Sequence, residues 1–172
     1  TALIGLACSN NPLTSLNVSN NTALTKLWCN YNLLTSLDVS NNTALTKLYC
    51  DNNPLTSLDV SNNTALTDLI CHDNQLTSLD VRNGNNIMLD SSFFCSNNPN
   101  LTCINVDDSN WSTSHWTVAN GNIDAQHYFS NNCSGATSIQ EHFTNKELLK
   151  VTDILGREVN EKRNTPLFYI YN

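Results

Sequence analysis

"LTKLWCNYNLLTSLDVSNNTA" occupies residues 24–44, and "LTKLYCDNNPLTSLDVSNNTA" follows it directly at residues 45–65. The two stretches share the segment LTSLDVSNNTA without change, and they differ mainly around a single cysteine. Units of this kind align on five cysteines, at spacings of 21, 21, 21 and 24 residues: Cys8, Cys29, Cys50, Cys71 and Cys95. A fixed period of this length indicates a repeat protein, in which each unit stacks on the next.

Each unit follows the pattern L-x-x-L-x-C-x-x-N-x-L-x-x-L-x-V-x-x-N. Leu27 and Cys29 alternate with variable neighbours, and Leu37 and Val39 alternate with polar ones, so each unit contains two short segments with strand periodicity. One unit cannot bury its apolar side chains alone, so neighbouring units must cover them. We expect the inward cysteines to form a buried column of Cys29, Cys50 and Cys71.

This pattern resembles the leucine-rich repeat family, with cysteine in the place of the third leucine of the family signature. The resemblance covers roughly residues 2–106. It implies a right-handed solenoid that is mostly parallel β-structure with little helix. The short unit contains the motif twice, which favours flattened coils with a strand on each broad face.

The sequence divides into four regions. Residues 1–106 are expected to form a solenoid of five coils that begins inside a repeat, as if trimmed at its N-terminus. Residues 107–133 lose the period and bring in aromatic residues, which suits a cap over the last open coil. Residues 134–145 resemble a linker, and residues 146–172 a tail with two strands around a turn at DILGRE.

The tail carries the run KELLKVTDILGREV at residues 146–159, followed by NTPLFYIY. This run is similar to the C-terminal sorting domain of the type IX secretion system, although that family usually continues into a further strand. The resemblance implies recognition by secretion machinery and a place outside the cell, or on its outer surface, in a Gram-negative bacterium. An ordinary hairpin without an address function is the alternative.

Asparagines recur where each predicted strand ends. Their side-chain amides can satisfy backbone groups of the turn in their own coil and in the adjacent coil. We therefore predict a structural ladder of Asn32, Asn53 and Asn74 at one edge, with Asn42 and Asn63 at the other.

The cysteines have two predicted roles. The inward ones are expected to act as small buried apolar groups. A metal column or disulfides between coils is disfavoured, because no histidine or acid shares the inward positions and a parallel stack aims its sulfurs poorly. Cys103 occupies an outward position held elsewhere by serine, and Cys133 closes the cap. A Cys103–Cys133 disulfide would tie the cap to the last coil, as suits an exported protein.

The strand that carries the cysteine varies on its outward side, whereas the other strand hardly does. Exposed tryptophan and tyrosine on a rigid sheet are common anchors for a partner. We therefore expect a partner-binding surface formed by Trp28, Tyr49, Ile70, Lys26, Lys47, Asn30, Asp51 and His72. Alternatively, the aromatic residues merely stack on each other for stability.

Other functions are less well supported by the sequence. The net charge is −7 and only 13% of residues are charged, which argues against nucleic acid, and no apolar run is long enough to span a membrane. We found no catalytic constellation, phosphate-binding loop or cofactor motif. The column Asp38, Asp59 and Asp80 could hold Ca²⁺, although serine hydroxyls and water would serve as well.

Two functions remain open. The first is a secreted or surface recognition module that binds a protein or glycan, as the repeats of bacterial internalins do. The second is a structural spacer that displays another domain and has no ligand of its own.

Overall fold

The computed structural model describes residues 2–89 and 91–133, together with two strands near the C-terminus, 148–153 and 167–171. The chain divides into two compact units, Thr1–Gly135 and Ala136–Asn172. The first unit is a β-solenoid of about six turns, with parallel strands and very little helix. This agrees with the predicted fold class, while the right-handed sense of the coil stays a prediction.

The solenoid unit contains two parallel sheets. The first, which we call the Cys-strand sheet, has five strands in the order β1 (Gly5–Ala7), β2 (Lys26–Trp28), β3 (Lys47–Tyr49), β5 (Asp68–Ile70) and β7 (Phe93–Phe94). The second, the Val-strand sheet, has four strands in the order β4 (Ser57–Asp59), β6 (Ser78–Asp80), β8 (Cys103–Asn105) and β9 (Tyr128–Ser130).

The strands pair in register, so that equivalent residues of successive coils lie beside one another. In the Cys-strand sheet the leucine at the centre of each strand pairs with its counterpart: Leu6 with Leu27, Leu27 with Leu48, and Leu48 with Leu69. The three extra residues before Cys95 are accommodated outside the ladder, because Leu69 pairs with Phe93 and Ile70 with Phe94.

The inward side chains form one continuous core. Leu27, Leu48, Leu58 and Val60 are all buried, as are their equivalents in the later coils, whereas Leu6 and Leu16 of the first coil are only partly buried. Full burial of a leucine side chain contributes about 1.5–3 kcal/mol relative to exposure, and no coil can obtain this without its neighbours. The 21-residue repeat of leucine, cysteine and valine in the sequence therefore corresponds to the repeat of buried side chains in the core.

The second face differs from the expectation in the first two coils. The Val-strand sheet begins only at Ser57–Asp59, although residues 36–38 have the same sequence, Ser-Leu-Asp. Since identical residues form a strand in one coil and not in the other, stacking rather than local propensity decides strand formation here.

Residues 107–133 form the last, irregular turn of the stack. Here α1 (Ser109–His115) begins at Asp108, whose side chain accepts hydrogen bonds from the backbone N–H groups of Asn110 and Trp111. Trp116 is fully buried and stacks on Phe93 of the preceding coil, with ring centroids 4.1 Å apart. The turn also adds β9 to the edge of the Val-strand sheet. A short 3₁₀ helix, Asn86–Leu89, precedes the fifth coil.

The predicted disulfide is confirmed: Cys103 and Cys133 are bonded, with their Cα atoms 5.8 Å apart. It joins β8 to the end of the last turn. In the second unit, β10 (Leu148–Asp153) and β11 (Leu167–Tyr171) pair antiparallel, with a register shift between Leu148 and Lys150. The predicted linker at 134–145 and the predicted turn at DILGRE lie outside the described residues, apart from Asp153.

Candidate functional site: the outer face of the Cys-strand sheet

The eight side chains predicted to bind a partner belong to one surface, which we call the variable face. They form three columns across β2, β3 and β5 and the positions just after these strands. With Asp68, which was not among the predicted residues, the columns consist of Lys26, Lys47 and Asp68, then Trp28, Tyr49 and Ile70, then Asn30, Asp51 and His72. The parallel register therefore brings together residues that are 21 or 42 positions apart in sequence.

An apolar strip runs along the centre of this face. The rings of Trp28 and Tyr49 meet edge to face, with centroids 6.4 Å apart and planes at 60°. Ile70 pairs with Tyr49, and Phe94 with Ile70, so the strip continues into the fifth coil. The side chains are only partly buried, which leaves part of each ring or aliphatic group accessible.

Phe94 was missed by the sequence analysis. The three-residue insertion before Cys95 breaks the 21-residue spacing, so counting by the period does not lead to it. Its position directly before the aligned cysteine, equivalent to that of Trp28 and Tyr49, was the available signal.

One edge of the strip is charged. The Lys47 ammonium lies 3.0 Å from the Asp68 carboxylate, and this hydrogen bond raises the pKa of Lys47. Burial opposes ionisation of Asp68, but hydrogen bonds from Thr67 and Lys47 outweigh it and hold the pKa of Asp68 below its usual range. Lys26 is exposed and makes no ion pair with the described residues, so it is the cation available to a partner.

The other edge is polar and less accessible than predicted. The side chain of Ser9 donates a short hydrogen bond to that of Asn30, and Asn52 donates to the Asp51 carboxylate at 3.0 Å. Asp51 is only 6% exposed, so it contributes to the turn more than to an open surface. The His72 Nδ1 atom lies 2.5 Å from an Asp73 carboxylate oxygen.

The inward cysteines form a buried stack beneath this face. Cys29, Cys50, Cys71 and Cys95 are buried free thiols. Burial raises the pKa of the Cys29 thiol to about 12, and it raises the pKa of Cys50 and Cys71 well above the ordinary value. Because a thiol is a poor nucleophile and metal ligand, these cysteines act as packing groups.

The asparagines hold the turns at the edges of both sheets. The Asn53 side-chain NH₂ group donates to the carbonyls of Cys29 and Cys50, at 3.1 Å each, and its side-chain oxygen accepts from the Leu34 N–H at 3.0 Å. Asn32, Asn74 and Asn98 repeat this arrangement. Asn98 was missed by the sequence analysis because it belongs to the shifted fifth coil.

The second ladder is less completely bonded. Asn63 donates to the carbonyls of Val39 and Asn42, at 3.0 and 2.9 Å. Among the described residues, the side-chain oxygens of Asn42 and Asn63 are buried without a hydrogen-bond partner. These residues therefore bridge successive coils through their NH₂ groups alone.

The carboxylates of the aspartate column, on the opposite side of the coils, form hydrogen bonds within the turns that follow them. The Asp38, Asp59 and Asp80 side chains each accept a hydrogen bond from the backbone N–H two residues further on. Arg82 also pairs with Asp80. In the part of the chain that the structure describes, no group of three or more histidine, cysteine, aspartate or glutamate residues could hold a metal ion.

A buried cysteine–histidine contact lies in the last turn, and the sequence analysis did not find it. The Cys95 sulfur is 3.9 Å from His127 Nδ1, which also accepts a hydrogen bond from the Asp124 N–H at 3.2 Å. His127 Nε2 faces the Asn98 carbonyl at 3.4 Å. This pattern fits neutral histidine with its proton on Nε2. Neither Cys95 nor the His127 side chain is accessible to a substrate.

Neither a protein-family model nor a curated protein sequence matches the chain. Among solved structures, the chain is similar to the functional domain of InlJ from Listeria monocytogenes, which includes a cysteine ladder. The match is 39% identical, covers 60% of this chain and 25% of that one, and has a TM-score of 0.48. Within the described residues, no helix is both long and apolar enough to cross a membrane.

Proposed function

We propose that the chain is a recognition module that binds a protein or glycan partner through the variable face. The observation that carries this proposal is the accessible strip of Trp28, Tyr49, Ile70 and Phe94, with the exposed Lys26 beside it. Aromatic side chains on a sheet that is already ordered lose little conformational entropy on binding. Such residues are therefore well suited as anchors for a partner.

The contrast between the two sheets supports this choice of surface. On the opposite side of the coils the outward serine and aspartate recur in the second, third and fourth coils, and the aspartates accept hydrogen bonds from the turns that follow them. On the variable face most outward residues change from coil to coil, Lys26 and Lys47 being the exception, although the inward residues there are as regular as anywhere. Variation that leaves the core intact is what a recognition surface requires.

A structural spacer is the second candidate. The edge-to-face contact between Trp28 and Tyr49 favours it, since such a pair can contribute about 0.5–1.5 kcal/mol to stability without any partner. In that case the aromatic residues would stabilise the stack, and the variable face would have no affinity of its own.

We further propose that the protein acts outside the cell or on its surface. The Cys103–Cys133 disulfide supports this proposal, because such bonds persist in oxidising compartments. Export by the type IX system of a Gram-negative bacterium would account for that location. The resemblance of residues 146–159 to a sorting domain suggests this route. A fusion of residues 134–172 to a reporter protein, expressed in a host with that system, should then appear outside the cells.

The recognition proposal is tested by screening the purified chain against arrays of glycans and cell-surface proteins. The Trp28→Ala/Tyr49→Ala variant should lose at least about tenfold in affinity for any hit, since it removes two aromatic anchors. Ser57→Ala/Ser78→Ala, on the opposite sheet, is the matched control and should bind normally. If both variants unfold like the native chain and no hit depends on the aromatic pair, the spacer function is favoured.

A further inference from the structure

A second surface lies beside the variable face, where the chain turns after each cysteine strand. The turns of the second, third and fourth coils together form a shallow groove of about 540 Å³, open to solvent. Its accessible walls include Tyr31, Asn52, Pro54, Asp73 and Gln75. A volume in this range is typical of small-ligand sites.

Tyr31 is the unusual residue of the groove. It adopts a left-handed backbone conformation, with φ of 53°, at a position that the other coils fill with Asn10, Asn52, Asp73 and Asn97. Asparagine and aspartate tolerate this conformation, whereas a bulky aromatic residue there is a genuine outlier. Such outliers concentrate at functional sites, and Tyr31 is also 52% exposed, so its ring does not contribute to the core.

Polar groups with free hydrogen-bonding capacity share the groove with Tyr31. The Gln75 side chain and the Tyr31 hydroxyl make no hydrogen bond to the described residues, and neither does the Asn52 side-chain oxygen. The Asp73 carboxylate is already engaged, by His72 at 2.5 Å and by the Asn97 amide at 3.0 Å. The groove therefore offers one aromatic face together with neutral donors and acceptors.

This combination matches the chemistry of a neutral carbohydrate. A sugar ring presents C–H groups on one face, which pack against an aromatic ring, and hydroxyls at its rim, which both donate and accept hydrogen bonds. Amide groups such as those of Gln75 and Asn52 can serve either role. The nearby carboxylates of Asp51 and Asp73 disfavour an anionic ligand, and the groove lacks the deep apolar pocket that would anchor a peptide side chain.

We propose that the turn groove binds a short neutral oligosaccharide, with Tyr31 as the stacking platform and Asn52 and Gln75 as hydrogen-bonding residues. The groove adjoins the variable face, but Tyr31, Asn52 and Gln75 are not part of that face, so the proposal does not depend on the partner-binding function proposed above. It assigns a role to the one coil in which the turn residue departs from the asparagine or aspartate of the others.

The test is a ¹H–¹⁵N NMR titration of the whole chain with cellobiose, lactose and N,N′-diacetylchitobiose. At least one sugar should cause saturable shifts in the side-chain NH₂ signals of Asn52 and Gln75. Tyr31→Asn restores the residue type of the other coils, so it should fold with an unchanged or higher Tm. It should nevertheless bind about tenfold more weakly, the loss expected for one aromatic contact.

Leu33→Asn is the matched control, since Leu33 is exposed in the same turn and does not line the groove. It should bind the sugar normally. The proposal is overturned if none of the three sugars shifts these signals at millimolar concentration, or if Tyr31→Asn binds as tightly as the native chain. Shifts confined to Trp28 and Tyr49 would also overturn it, although they would support the variable face as a glycan site. Saturable shifts with a peptide library and not with sugars would overturn the carbohydrate assignment.

Discussion

At the scale of single residues, the turns are stabilised mainly by hydrogen bonds from asparagine side chains. The side chain of Asn53 supplies donors to the carbonyls of two successive coils and an acceptor to the N–H of a third residue, Leu34. These backbone groups are buried, and an unsatisfied buried polar group costs about 1–3 kcal/mol. One side chain therefore stabilises both its own turn and the contact with its neighbour.

Replacement of Asn53 by alanine should lower the free energy of unfolding by about 3 kcal/mol, because it leaves several backbone groups without partners at once. The measurement is urea denaturation followed by circular dichroism. The exposed Asn62 provides the control, and Asn62→Ala should change stability by less than about 0.5 kcal/mol. Equal effects of the two substitutions would show that the buried hydrogen bonds contribute little.

The same scale shows what the pattern of residues could predict and what it could not. The period of Leu27 and Cys29 was enough to predict the inward columns, because burial follows directly from alternation along a strand. The left-handed backbone at Tyr31 could not be predicted from its own residue type, since tyrosine gives no local signal for that conformation. The equivalent positions in the next two coils, Asn52 and Asp73, carry the residue types that favour the left-handed conformation.

At the scale of elements, the strands are too short to be stable by themselves. Most consist of three residues, such as Lys47–Tyr49, and gain their hydrogen bonds from both neighbouring coils. Residues 36–38 and 57–59 differ in structure despite identical sequence, so the three residues themselves do not decide whether a strand forms. Sequence analysis finds which residues can form a strand, but the number of coils that support it is a property of the stack.

The last turn was the least predictable element. Its aromatic residues indicated a cap, yet the helix at Ser109–His115 and the parallel strand at Tyr128–Ser130 have no repeat pattern to mark them. The contact of His127 with Cys95 joins residues 32 positions apart outside the period, so spacing gave no reason to pair them. The disulfide could be predicted from the sequence only because Cys103 and Cys133 do not belong to the column of inward cysteines.

That disulfide should make a large contribution to stability. It closes a loop of 30 residues, so its removal by Cys103→Ser should lower the free energy of unfolding by about 3–4 kcal/mol in the chain-entropy account. Reduction of the native protein with dithiothreitol should have a similar effect and should not affect the variant. If reduction destabilises both proteins equally, the stabilisation does not come from this bond.

At the scale of the whole molecule, the residues that hold the solenoid together and the residues proposed to bind partners occupy different places. The core and the asparagine ladders repeat from coil to coil, while the variable face and the turn groove change without disturbing them. Each coil contacts only its neighbours, so a substitution on the outside can alter recognition locally. The sequence shows this division directly, but counting by the 21-residue period misses Phe94, whose equivalence to Trp28 appears only when the coils are aligned on their cysteines.

The last turn closes one end of the stack, and its buried histidine should make global stability depend on pH. Burial lowers the pKa of His127 below its ordinary 6.5, despite the opposing effects of the Asn98 carbonyl and the Asp124 carboxylate. A proton on Nδ1 would face the Asp124 N–H, which already donates there. The unfolded chain therefore takes up a proton that the folded chain refuses, and stability should fall as the pH drops below about 6.5.

A second loss should follow at lower pH. The pKa values of Asp68 and Asp80 lie below their ordinary 3.8, where hydrogen bonds and ion pairs outweigh burial. The stability that these carboxylates contribute is present above that value and is lost as they become protonated. The two losses are separable because they occupy different ranges of pH.

Urea denaturation between about pH 7 and pH 5 isolates the histidine contribution, since the carboxylates stay ionised in that range. His127→Gln should flatten the dependence of stability on pH there, whatever its effect on absolute stability, and should leave the loss at lower pH unchanged. Parallel curves for the native chain and the variant would contradict the prediction. A flattened curve would show that proton binding in the last turn is linked to unfolding of the whole stack.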